Sequence, residues 1–393
     1  MENNWMELDQ QYILPTYGRM PVVVDKAEGM YITDVQGKTY LDLFSGLAVN
    51  ILGHCHDELN QEMVEQSQRF SHISNFFYNQ PAIRLAEKIV KNTFDGKIFF
   101  TNSGAESTEA GVKYIHKYGV DQGLKGIVVF KNSFHGRTLG ALQLTRMASI
   151  QQDFPTVDFP VYELEDENIQ ELEKMIIDHK PSALLFEPIS GSGGIKVISK
   201  EFMEKAAELC HANGVLYCVD EIQTGMGRTG KLFAYQHTNV KPDILLFAKG
   251  VGGGLPLGGM LVREGISHYF KPGDHGTTFA PSPISASLGR RTLEILEDGL
   301  LTEVATKEAY LLNKIEGIRK QFPEFIGEIR GKGMMLGIEV LKNHTVLRNQ
   351  FMEKNILVNV TNGNILRLLP SLIIEEKHID EFANAFMEIL RQW

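Results

Sequence analysis

The sequence predicts an α/β protein, with a mostly parallel sheet between helices and a smaller α+β part beside it. Three observations predict this. Between residues 98 and 262, short apolar, β-branched runs alternate with longer runs of helical period, the order that crossover-connected parallel strands require. Several of these runs end in acids, a lysine or small-residue loops, as expected where ligands sit beyond the carboxyl ends of strands. After about residue 300 the pattern changes to long helices and a few strand-like pieces, so we divide the chain into 1–50 (an N-terminal arm and part of the small domain), 51–299 (the large domain) and 300–393 (the C-terminal small domain).

Residues 1–28 are mixed and polar, and Pro15 and Pro21 prevent a long helix, so they read as an arm. The strand-like pieces 30–32 and 40–43 flank turn residues 34–38, a hairpin. The stretch 45–54 is richer in small residues than packing requires and reads as pocket lining. His54 and His56 lack a third ligand nearby, so they read as loop or supporting histidines rather than as a metal site.

A helix over 81–91 has proline in its first turn and a broad apolar face of Ile83, Leu85, Ala86, Ile89 and Val90. Strand 98–100 runs into Thr101-Asn102-Ser103-Gly104-Ala105-Glu106, which opens a second helix reaching to about 118. Free amides at such a start suit a phosphate, and Ser103 and Gly104 are placed to contact one; ordinary capping accounts for the same residues. Strand 126–130 ends at 131–138, where Phe134, His135 and Arg137 surround Gly136. Phe134 or His135 could lie on a planar ring and the Arg137 fork matches a carboxylate, the plain alternative being a surface loop with Arg137 paired to an acid.

Helices over 168–178 and 201–212 flank strand 183–186, which leads into Glu187 and a small-residue loop. Strand 215–219 ends at Asp220 and Glu221; strand 244–248 delivers Lys249, followed by a glycine-rich turn and by Gly258-Gly259. An acid and a lysine at two strand ends can converge on one site. Such a lysine can form a Schiff base with an aldehyde cofactor, and such an aspartate can hold a pyridinium nitrogen protonated, although both features also occur in α/β proteins without this chemistry. Helices over 284–297 and 301–319, an apolar run 334–340, strand-like runs 356–358 and 365–369, and a helix over 375–390 complete the chain. Arg367, alternating between Leu366 and Leu368, is a second candidate carboxylate binder or else part of a solvated strand face.

A 43% hydrophobic and 22% charged composition excludes disorder, and a net charge of -10 without a basic stripe argues against a nucleic-acid partner. Three cysteines without ligand spacing suggest a reducing compartment. The start, Met1 to Trp5, has neither the basic flank nor the apolar core of a signal peptide, and no apolar run approaches bilayer length, so the expected location is cytoplasmic and away from membranes.

Taken as an ordered set, Ser103-Gly104-Ala105-Glu106, Phe134-His135-Gly136-Arg137-Thr138, Asp220-Glu221-Ile222-Gln223-Thr224-Gly225, Gly227-Arg228-Thr229-Gly230 and Ala248-Lys249-Gly250 resemble the signatures of class III, fold type I pyridoxal-phosphate aminotransferases. The resemblance is closest to the acetylornithine aminotransferases and runs from about Tyr12 to the end. It implies a fold type I transferase that binds pyridoxal 5'-phosphate. Lys249 would carry the cofactor and move the proton, Asp220 would pair with the pyridine nitrogen, Gln223 would approach the phenolic oxygen, and Phe134 would stack on the ring. Ser103, Gly104 and Ala105 would cradle the phosphate, joined by Thr278 from the other subunit of a homodimer.

For substrates, amino acids and 2-oxo acids, the resemblance assigns Arg137 to the donor's α-carboxylate and Arg367 to a carboxylate of glutamate or 2-oxoglutarate, with Glu187 and Ser192 in the same substrate site. Gly46 and Leu47 stand where ornithine aminotransferases carry a tyrosine, which leaves room for an acetamide. The implied reaction passes the distal amino group of N2-acetyl-L-ornithine to 2-oxoglutarate, a step of arginine biosynthesis; the alternative is an ornithine or other ω-amino-acid aminotransferase. Two departures bear on specificity: Ser192 replaces a glutamate that in the family can pair with the arginine matching Arg367, and Ala280-Pro281-Ser282-Pro283 replaces a small-Gly-Asn-Pro sequence. An aminomutase or racemase would have less need of two carboxylate-binding arginines, and a non-enzymatic binding protein would not need Lys249 with Asp220.

Overall fold

The computed structural model describes residues 4–393; Met1, Glu2 and Asn3, read above as the start of the arm, lie outside them. Its central sheet has seven strands in the spatial order Gly96–Thr101, Gly258–Arg263, Ile244–Phe247, Leu216–Asp220, Ala183–Phe186, Ile127–Phe130, Val161–Leu164. From Ile244–Phe247 to Val161–Leu164 all neighbours are parallel, whereas Gly258–Arg263 runs antiparallel to both of its neighbours.

The inner strands Ile127–Phe130, Ala183–Phe186 and Ile244–Phe247 are apolar throughout, as is Leu216–Asp220 up to its terminal acid, because both sheet faces are covered. Side chains alternate cleanly between two clusters, with Val128, Leu184, Phe186, Tyr217, Val219, Leu245 and Phe247 on one side. Val129, Ala183, Leu185, Leu216, Cys218, Ile244 and Leu246 lie on the other. Burying each large aliphatic or aromatic side chain of this kind contributes about 1.5–3 kcal/mol.

Two strands depart from the sequence expectation. Gly258-Gly259, to which the sequence reading gives no element, begins the antiparallel strand Gly258–Arg263. Glycine serves close packing there, since a Cβ on Gly259 would lie 2.5 Å from Cζ of Phe247. Val161–Leu164 carries no continuous apolar run in the sequence, since Glu163 interrupts it. The helix expected to end near 118 continues to Gln122, where Gly123 caps it at φ 68°.

Strands Val24–Glu28, Tyr31–Asp34 and Thr39–Asp42 form an antiparallel meander, which Ile356–Leu357 extends in parallel, so the two ends of the chain share a sheet. A third sheet is antiparallel, in the order Ile326–Lys332, Met335–Val340, Ile365–Leu368, Asn359–Thr361. Arg228, fully buried, donates to the carbonyls of Met334 and Pro370 and ties the loop beyond the central sheet to this part. The helix Glu376–Leu390 packs on Leu301–Gln321, where Lys314 pairs with Asp380 at 2.6 Å.

All three cysteines are free, with Cys55 exposed and Cys210 and Cys218 buried. Among the described residues no helix is long and apolar enough to cross a membrane, and no group of three or more His, Cys, Asp or Glu side chains is placed to hold a metal ion.

Candidate active site

The strands Leu216–Asp220 and Ile244–Phe247 end at a cavity of about 490 Å³. Asp220, Gln223 and Lys249 line it, with Gly104 and Ala105 from the helix start, Phe134 and Arg137 from the loop after Ile127–Phe130, and Leu47, Glu187, Ser192 and Arg367. Ser103 caps the helix just outside the wall, and Gly46 precedes Leu47 without lining the cavity. Thr278 is exposed and lies outside the cavity of its own chain.

Lys249 has φ 50°, a backbone strain that persists only where the surroundings enforce it. Among the described residues its amine has neither a hydrogen bond nor an ion pair. Loss of hydration, helped by the nearby positive charge of Arg367, holds that amine down to about 8 against the pull of Asp220 and Glu187. An amine held near neutrality at a strand end is suited to nucleophilic attack and proton transfer.

Asp220 is buried, and each of its oxygens has a protein partner: Oδ2 lies 2.7 Å from Nδ1 of His135, and Oδ1 accepts from the Ile222 N–H at 3.0 Å. His135 was read above as a ring-stacking alternative to Phe134; the structure turns it onto Asp220 instead. Burial lowers its basicity, but the hydrogen bond and charge of Asp220, with Glu187 behind, raise it overall. Its Nε2 is buried without a partner among the described residues.

At the other end of the cavity, Ser103 caps the helix Gly104–Gln122 by accepting from the Glu106 N–H. The N–H groups of Gly104 and Ala105 have no protein acceptor among the described residues, so the positive end of the helix opens into the cavity. Glycine is needed at 104, because a Cβ would stand 2.8 Å from Cγ2 of Ile222. Glu187 accepts from the Phe134 N–H at 3.0 Å and the Gly191 N–H at 3.1 Å, joining two loops, and burial pushes its carboxyl up.

The two arginines stand at different depths. Arg137 is exposed at the mouth, its guanidinium carbon 5.9 Å from the Phe134 ring centroid, and no acid pairs with it among the described residues. Arg367 is only 6% exposed, which excludes the solvated strand face. It donates to Gly191 O at 3.1 Å and to Asn359 Oδ1 at 2.7 Å, and its Nε has no partner among the described residues. Burial holds it down to about 10, opposed only by Glu187.

Leu47 reaches the wall from a left-handed turn in which Ser45, Gly46, Leu47 and Ala48 have φ of 44°, 62°, 66° and 67°. The three non-glycine residues cost about 1–2 kcal/mol each in this conformation.

Sequence reasoning missed several wall residues. Met147 and Ile150, at the short helix Ala148–Gln151, supply apolar surface, and Thr361 lines the cavity from the strand Asn359–Thr361 whose Asn359 holds Arg367. No spacing or motif marks them. In the departing segment 280–283, the Ala280–Pro281 peptide is cis, and Asn75 and Asn79 donate to the carbonyls of Ala280 and Pro281.

These residues fit pyridoxal phosphate: unclaimed amides at a helix start suit the phosphate, a buried carboxylate suits the ring nitrogen, and an unpartnered amine suits the aldehyde. The comparisons agree. A family model described as aminotransferase class-III matches residues 12–390. The chain is 38% identical to an acetylornithine aminotransferase of Methanocaldococcus jannaschii over 100% of this chain and 99% of that one. It is 37% identical to a succinylornithine transaminase of Photorhabdus laumondii, covering 97% and 96%. Among solved structures, the ornithine aminotransferase of Toxoplasma gondii superposes with a TM-score of 0.93 at 26% identity, covering 100% of this chain and 95% of that one. With sequence, fold and cavity in accord, the chain belongs to the class-III aminotransferases, enzymes that work with pyridoxal phosphate.

Proposed function

We propose that the chain transfers the distal amino group of N2-acetyl-L-ornithine to 2-oxoglutarate, giving N-acetyl-L-glutamate 5-semialdehyde and L-glutamate. The carrying observation is the pair of arginines without acid partners, Arg137 at the mouth and Arg367 buried, with the apolar Leu47, Met147 and Ile150 lining the same cavity. Such a cavity favours a donor with one carboxylate and an uncharged acyl end, and then an acceptor with two carboxylates. The names of the acetylornithine and succinylornithine relatives support an N-acylated donor.

Bound pyridoxal phosphate supplies the electron sink and carries the amino group between the half-reactions. Lys249 Nζ takes the proton from Cδ of the donor and, in the return half-reaction, delivers one to Cα of the new amino acid. Asp220, braced by His135, keeps the ring nitrogen protonated. The amides of Gly104 and Ala105, beside Ser103, would hold the phosphate, Phe134 would hold the ring, and Gln223 would serve its phenolic oxygen. Glu187 keeps the Phe134 and Gly191 loops in register.

Thr278 completes the phosphate site of a second copy in a homodimer. The exposed Phe76, Phe77, Tyr78 and Phe279, the last beside Thr278 in sequence, support a protein contact there. On the same reading, 51–299 forms the large domain, while 300–393 and part of 1–50 form the small one. Free thiols support a reducing, cytoplasmic setting.

The test is a panel of half-reactions. Enzyme loaded with cofactor is mixed separately with N-acetylornithine, ornithine, 4-aminobutyrate, lysine and glutamate, and conversion to the pyridoxamine form is followed. Fast conversion by N-acetylornithine with a weak response to ornithine is expected; faster conversion by ornithine or 4-aminobutyrate would overturn the donor assignment. Ser192 bears on the ratio between donors, because it leaves Arg367 without a carboxylate. Ser192→Glu places an acid on the loop whose Gly191 carbonyl already meets Arg367. The rate ratio of N-acetylornithine to glutamate should then rise about tenfold in the same assay.

A further inference from the structure

We propose that His54, acting through Asp42, holds the left-handed turn Ser45–Ala48 in the shape that makes the cavity select an acylated donor over a free amine. His54 is thus a positioning residue for donor selectivity. The inference rests on the donor assignment above and adds to it the device that enforces the choice.

Four consecutive residues with positive φ, three of them not glycine, do not persist in an L-chain without external support. That support is visible where the turn begins. Asp42 Oδ1 accepts the N–H groups of Phe44 and Ser45, each at 2.9 Å. Its other oxygen, Oδ2, lies 2.8 Å from Nε2 of His54, so the carboxylate cannot rotate away from the two amides. Asn50 Nδ2, a donor, stands 3.3 Å from Nδ1 of His54, which makes Nδ1 the acceptor and places the ring proton on Nε2, facing Asp42.

His54 is itself pinned to the hairpin, since its backbone exchanges both hydrogen bonds with Gly29 at 2.8 and 2.9 Å. From the same first residue Ser45 Oγ donates to Leu369 O at 2.6 Å, and the Leu369 N–H returns to Leu43 O at 2.9 Å. The turn is therefore clamped between the first sheet and the segment just past Arg367. Its exposed product is the Leu47 side chain on the cavity wall.

An apolar side chain held there leaves a free α-ammonium without a partner and an acyl group in contact. Without the His54 contact the Asp42 carboxylate is free to turn, the two amides lose their fixed acceptor, and the turn relaxes toward ordinary φ, withdrawing Leu47.

The experiment compares half-reactions of cofactor-loaded wild type, His54→Ala, His54→Gln and the double variant His54→Ala with Ala48→Gly, using N-acetylornithine, ornithine and glutamate, and measures cofactor dissociation in parallel. In His54→Ala the preference for N-acetylornithine over ornithine should fall about tenfold, through weaker binding of the acylated donor, while the glutamate half-reaction and cofactor dissociation stay within about twofold. His54→Gln keeps a donor for Asp42 and should recover most of the preference. Ala48→Gly removes the left-handed penalty at one residue and should restore part of it to His54→Ala, which a merely structural role for His54 elsewhere would not allow.

An unchanged preference in His54→Ala, or equal losses in all three half-reactions, would overturn the inference. Should His54→Ala not fold, Asp42→Asn, which keeps an oxygen for the two amides, makes the same comparison. A wild type that prefers ornithine overturns the donor assignment and this inference together; a wild type that prefers N-acetylornithine, matched by His54→Ala, overturns this one alone.

Discussion

Lys249→Ala is expected to lower both half-reactions by about 10⁴-fold or more, because one amine both anchors the cofactor and moves the proton. Borohydride treatment should add the cofactor's mass to the wild-type chain and nothing to the variant. Equal mass gain in both proteins would assign the anchoring amine elsewhere. The same lysine should be costly to the fold. Its amine is held down to about 8 in the folded chain, against the usual lysine range when unfolded. The unfolded chain therefore binds more protons between these values, and stability rises with pH across that window. Cofactor-free Lys249→Met should melt higher than wild type at pH 7, by an amount on the order of 2–3 kcal/mol that shrinks as pH rises past 8 toward 10. A gap that does not change with pH would mean that the lysine is hydrated in the folded protein.

Asp220→Asn is expected to lower kcat by about 10²–10³-fold with KM for either substrate changed only a few-fold, since the charge matters most where the reacting system develops its own. The amide keeps the shape and part of the hydrogen bonding but removes the negative charge that faces buried His135 at 2.7 Å. Borohydride should still fix the cofactor to the chain, which separates loss of electronic support from loss of binding. If kcat stays within tenfold of wild type, another group supports the ring nitrogen.

Much of the central sheet was legible because the cause is local. A strand buried on both faces must be apolar along its length, and Ala183–Phe186, Ile244–Phe247 and Leu216–Asp220 up to its terminal acid are. The chemistry at their ends was legible for a related reason: where a parallel strand stops, the next few residues must face a crevice. Asp220 and Lys249 follow from that rule. Gly258–Arg263 did not, because a strand that opens on two glycines lacks the apolar start of its neighbours, and only the Phe247 ring lying across them explains it.

The sequence by itself determined the α/β class, the strand ends and the residue types brought to one cavity, since burial and end chemistry are encoded within a few neighbouring residues. Only the tertiary structure decided how those groups are held. His135 meets Asp220 across 85 residues, Arg367 meets the Gly191 carbonyl across 176, and Ser45 meets Leu369 across 324. Nothing in the local pattern around any of these residues names its partner. The left-handed turn under Leu47 is the clearest instance: its own residues disfavour that backbone, and it exists because Asp42, His54 and the Leu369 carbonyl, brought together by two sheets, leave it no other shape.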